Sequence, residues 1–159
     1  MGWKVFGWGY STSELTDKSV FQPIKFNKNI LLRAIRTWII VYNDPDFTSL
    51  NLKLYSDNTD EGSHEPIKLL ATSESKTKAD IITLENGVRE VAFIFDDYPI
   101  NKDTYYNLVL NGAGYTGSSN ECLAWRKGFP DPVYSSGYTP AIETVNKSPY
   151  EVYAIGAEF

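Results

Sequence analysis

What most restricts the fold open to this chain is an alternation of apolar and polar residues at every second position. In "NLKLYSD", Leu50, Leu52 and Leu54 alternate with Asn51, Lys53 and Tyr55, the period of a strand with one buried face. "REVAFIFDD" repeats the pattern, with Val91, Phe93 and Phe95 on one side and Glu90, Ala92 and Ile94 on the other. "TYYNLVLNG" sets Tyr106, Leu108 and Leu110 against Tyr105, Asn107 and Val109. Side chains two apart share a face only in extended chain, so these stretches predict strands.

The longer run "ILLRAIRTWIIVYN" is apolar enough to rival a helix, but its Ile, Val, Thr and Trp content and the turn signal "NDPD" behind it favour one strand or a bulged pair. "PIKLLATS", "DIITLENG", "ECLAWRKG" and "YEVYAIGAEF" bring the total to about eight or nine strands. Turns at Asp44-Pro45, Asn86-Gly87 and Tyr98-Pro99 divide them. The expected fold is all-β, an antiparallel β-sandwich. Residues 1–29 fall outside this pattern and read as an N-terminal arm and linker, and residues 30–159 as the domain.

The 159 residues suffice for one domain that buries roughly 70% of its extended surface without a staple. A net charge of −5 and scattered Lys and Arg argue against a nucleic-acid partner. The single cysteine, Cys122, cannot form an internal disulfide and reads as a small buried hydrophobe in a reducing compartment. The opening residues lack the apolar run of a signal peptide, Phe6 stands where myristoylation wants Ser or Thr, and no stretch reaches the roughly 18 apolar residues of a membrane span. The expectation is a protein made in a cytoplasm that reaches the outside by lysis or by assembly into a particle.

The order "LRAIRTWIIVYN", "LNLKLYSDN", "PIKLLATS", "VREVAFIFDDYPINKDTYYNLVLNG" and a Trp-containing strand resembles a broad group of jelly-roll β-sandwich domains. These lectin-like modules, akin to carbohydrate-binding modules, occur in bacterial surface proteins and in structural proteins of tailed bacteriophages. The resemblance covers about residues 30–159. It implies a jelly-roll fold and a role as spacer, decoration or sugar binder, since a fold does not fix a function.

Catalytic constellations are thin. Gly112, Gly114 and Gly117 make a GxGxxG pattern, but no helix follows to hold a pyrophosphate, and a glycine loop between strands explains them. His64, the one histidine, lies in the polar loop "DEGSHEP" with no activated nucleophile in its neighbourhood. Asp96 and Asp97 are adjacent at an expected strand end, where alternation points them to opposite faces and spoils a facing glycosidase pair. Asn146 in "NKS" matches a glycosylation acceptor by chance. The chain is expected to have no enzymatic activity and no cofactor. The exception to test is a structural calcium at Asp57, Asp60 and Glu61, where "SDNTDEG" groups hard oxygen ligands that also suit a solvated turn.

Aromatic residues carry the stronger functional signal. Tyr115, Trp125, Tyr134 and Tyr138 stand among Gly, Ser and Pro, with Asn120 and Asp131 available to bond hydroxyls while the rings stack on a sugar. Trp125 also shares strand parity with Leu123, which suits core packing. At the start of the chain, "MGWKVFGWGY" brings together Trp3, Phe6, Trp8 and Tyr10. Those four rings could bury roughly 600 to 1,000 Å², about one partner's share of a standard interface. The rival reading is an arm that folds back as an extra strand.

The resulting expectation is an accessory structural protein of a virus particle, a bacteriophage capsid decoration or head or tail appendage. It would dock through the arm onto other virion proteins such as a capsid or tail protein, oligomeric in the assembly. A carbohydrate-binding module or lectin, for host-glycan adhesion, is the alternative, and a small glycan-cleaving enzyme the third.

Overall fold

The computed structural model describes residues 3–6, 21–26, 28–42, 46–58, 65–81, 87–113, 122–126, 142–144 and 152–159, in places by backbone path alone. Among them are eleven strands and one helical turn: β1 (Trp3–Phe6), β2 (Phe21–Phe26), β3 (Ile30–Tyr42), β4 (Ser49–Asp57), β5 (Pro66–Thr72), β6 (Lys76–Thr77), α1 (Lys78–Ile81), β7 (Gly87–Ile100), β8 (Tyr105–Ala113), β9 (Cys122–Arg126), β10 (Ile142–Thr144) and β11 (Val152–Glu158). They form two antiparallel sheets packed face to face, a β-sandwich.

In the first sheet β3 is the spine. One of its edges carries β7. Its other edge is shared by β11, beside Ile30–Thr37, and β9, beside Ile39–Tyr42, with β1 beyond β9. The second sheet runs β10-β2-β8-β4-β5, and β6 continues the β5 edge along β4. The core lies between them. Ile30, Leu32, Ile35, Ile39, Val91 and Phe93 face Ile24, Phe26, Leu50, Leu52, Leu54, Leu108 and Leu110.

The alternation of β4 is as the sequence predicts, with Leu50, Leu52 and Leu54 fully buried. On β3 strict alternation would fail halfway, because after Ile30 and Leu32 it would turn Ala34, Arg36 and Trp38 inward. The chain changes parity instead. Leu32 faces Tyr98 and Ala34 faces Ile94, so Arg33 stands alone against the three residues Phe95 to Asp97. Beyond that bulge Ile35, Thr37 and Ile39 are the fully buried positions. Asp97 takes a left-handed conformation, φ 41°, which Asp tolerates better than most residues, and its Oδ1 accepts from the Arg33 Nε at 3.0 Å. Both partners are about half exposed, so this pair contributes about 0–1 kcal/mol and serves mainly to fix the bulge's shape.

On the other edge of β3 the register shifts at the same level, with Ile155 against Ala34 and Gly156 against Leu32. The strands close in so tightly there that a Cβ on Gly156 would collide with the Leu31 carbonyl oxygen. Only glycine fits.

Three sequence expectations need correction. The sheet does not begin at residue 30: "FQPIKF" is β2, an interior strand between β10 and β8 with Ile24 and Phe26 fully buried. Pro23 disguises it, since proline usually argues against a paired strand. In "DIITLENG", Asp80 and Ile81 belong to α1 rather than to a strand. Thr77 and Asp80 cap that turn reciprocally, the Asp80 N–H donating to Thr77 Oγ1 and the Thr77 N–H to Asp80 Oδ2, which holds the Asp80 carboxyl below its usual value. Tyr98-Pro99 is no turn either. Both residues lie inside β7, paired with Leu32 and Leu31. Among the described residues β7 pairs only with β3, and an edge strand can carry a proline. For the same reason Asp96 and Asp97 sit within a strand rather than at its end.

The sheets are stitched at their corners. Glu74 N–H donates to the Ile94 carbonyl across the sandwich, and Asp103 N–H to the Phe26 carbonyl. Ser73, buried between β5 and β6, exchanges two bonds with the Leu52 backbone through its own N–H and Oγ. The β5 edge is irregular, with two register shifts against β4, Pro66 at its start, and Ile67 and Leu69 exposed.

Two predictions arise from this packing. Gly156→Ala should destabilise the fold by about 1–3 kcal/mol, read as a lower urea midpoint; an unchanged midpoint would mean that the backbone at Leu31 yields freely. Tyr106, whose hydroxyl accepts from the Asn101 N–H at 3.0 Å, has its phenol pushed above the ordinary value by burial. Its protonated form is favoured in the fold, so stability should hold up to the ordinary tyrosine range and fall as pH rises through the folded value. Tyr106→Phe should flatten that alkaline limb, and an identical limb in the variant would assign it elsewhere.

Candidate functional site

The outer face of the second sheet is built by the residues that alternate with the core. Register sets Pro23, Asn107, Tyr55 and Leu69 in one row across β2, β8, β4 and β5. The next row carries Val109, Lys53 and Thr72, and the one after it Asn111 and Asn51. Lys25 and Tyr105 face each other at the β2–β8 end, with the Lys25 ammonium 5.1 Å from the ring centroid, a cation–π contact.

The face has a gradient of accessibility. Asn107, Val109 and Asn111 are buried, so β8 is enclosed on both sides at these positions. Toward β5 the surface opens: Asn51, Lys53 and Tyr55 are half-buried, and Leu69 is 45% exposed. Lys53 has its pKa lowered by the partial loss of water around its ammonium.

Asp57 joins two elements at one end of this face. Its Oδ1 accepts from the Asn107 amide at 3.0 Å and from the Glu65 N–H at 3.1 Å, closing the base of the loop between β4 and β5. The Asn107 amide also reaches the Ser56 carbonyl at 3.4 Å. Among the described residues, the buried amide oxygens of Asn51 and Asn107 have no hydrogen-bond partner. Each such atom costs about 1–3 kcal/mol unless something supplies a donor. Amides, a ring and a partly dehydrated ammonium on one sheet face suit a ligand rich in hydroxyls.

Of the residues singled out in the sequence, Trp3 and Phe6 lie on β1 and Trp125 on β9. Those two strands are neighbours, with Trp3 level with Arg126 and Lys4 with Trp125. Trp125 is also level with Ile39 of β3, a core residue. Trp8, Tyr10, Tyr115, Asn120, Asp131, Tyr134 and Tyr138 lie outside the described residues, as do Asp60, Glu61 and His64. Of the acidic loop, Asp57 is described, and it is engaged as a staple. Among the described residues no three His, Cys, Asp or Glu side chains converge as a metal site, and no helix is long and apolar enough to cross a membrane.

Asn51 and Asn107 were not legible as site residues. In an alternating strand an amide at an outward position reads as ordinary solvent-facing surface, and its enclosure becomes visible only once the strands are assembled. Comparison with protein-family models, curated proteins and solved structures finds no match to this chain.

The staple makes Asp57 testable. Asp57→Ala should lower stability by about 1–3 kcal/mol, because it leaves the buried Asn107 amide short of an acceptor. Millimolar calcium should leave the parent's melting temperature unchanged. A rise of several degrees that is lost in Asp57→Ala would instead assign the carboxylate to a cation.

Proposed function

We propose that this chain is a non-enzymatic β-sandwich module that serves as an accessory structural protein of a virus particle, a bacteriophage capsid decoration or a head or tail appendage. Trp3–Phe6 folds back as the extra strand β1, as the rival reading has it, and what supports docking is that this strand lies at a sheet edge. The aromatic opening of the chain supplies the outermost strand of the first sheet, joined among the described residues only to β9. A sheet edge is where a partner protein can add a strand or cover protruding rings. Trp3, Phe6, Trp8 and Tyr10 are the docking residues of this reading, and repeated copies on a symmetric particle would multiply a modest affinity.

Removing residues 1–20 tests it, since β2 begins at Phe21 and is left whole. The truncated protein should keep its melting temperature within a few degrees and lose self-association or particle binding, measured by solution mass and co-sedimentation. A sharp fall in melting temperature, with both forms monomeric, would return the aromatic strand to the domain's own stability and remove the docking role.

A second reading, a carbohydrate-binding module or lectin, is favoured by the outer face of the second sheet. Tyr55, Asn51 and Lys53 join there the ring, amide and ammonium chemistry that grips sugar hydroxyls. The glycine-rich loops offer Tyr115, Trp125, Tyr134 and Tyr138, with Asn120 and Asp131, as the rival platform. A glycan panel read by thermal shift should give a hit that Tyr134→Ala and Tyr138→Ala abolish if the loops bind, or that Tyr55→Ala abolishes if the sheet face does. No shift with any glycan at high concentration would end this reading and leave the first standing.

A further inference from the structure

We draw no further inference here: the strongest candidate, the pair of unpartnered amide oxygens of Asn51 and Asn107 beneath the outer face of the second sheet, belongs to the site already described, and nothing in the structure shows what covers those atoms.

Discussion

The first sheet depends on a change of parity. Its two longest strands, β3 and β7, run for 13 and 14 residues, too far for the apolar residues in this sequence to stay on one side by alternation alone. At Arg33 and at Phe95–Asp97 both strands slip together, and β11 slips at the same level beside Gly156. Had only one strand slipped, every position beyond it would have been matched to the wrong face of its neighbour. The bulge is therefore the condition for burying Ile30 and Leu32 on one side of it and Ile35 and Ile39 on the other. The Arg33–Asp97 pair marks the place at the surface, while the close approach at Gly156 fixes how near the strands can come.

The second sheet solves a different problem. Its strands are shorter and β4 alternates cleanly, but the middle one, β8, has no solvent face at Asn107, Val109 or Asn111. Amides enclosed in this way rank among the more costly features of a fold when left unsatisfied, and networks that do satisfy them impose one geometry rather than many. Asn107 meets half of that demand by bonding Asp57, which in turn fastens Glu65. The acidic stretch whose composition suits a solvated turn or a calcium ion thus has one carboxylate turned toward the protein's own backbone and side chains.

How much could be read from the sequence varied with how far each element obeys a single period. β4 was legible because Leu50, Leu52 and Leu54 alternate without interruption. β3 was legible as one strand or a bulged pair, but the place of the bulge was not, because nothing local distinguishes Arg33 from Arg36. β2 was hidden by Pro23, and α1 by the β-branched Ile81, whose propensity lost to the cap made by Thr77 and Asp80. The polar side of β4 could be read, but the enclosure of the outer face at β8 could not. Whether Asn107 meets water depends on what lies over the finished sheet, and that is tertiary information.

The β5 edge has a further consequence. Ile67 and Leu69 make it adhesive, yet the two register shifts and Pro66 break the even row of donors and acceptors that a regular strand would offer. A neighbouring molecule can rest against those side chains without finding a backbone template to copy. An edge broken in this way is a poor template for strand addition by another chain.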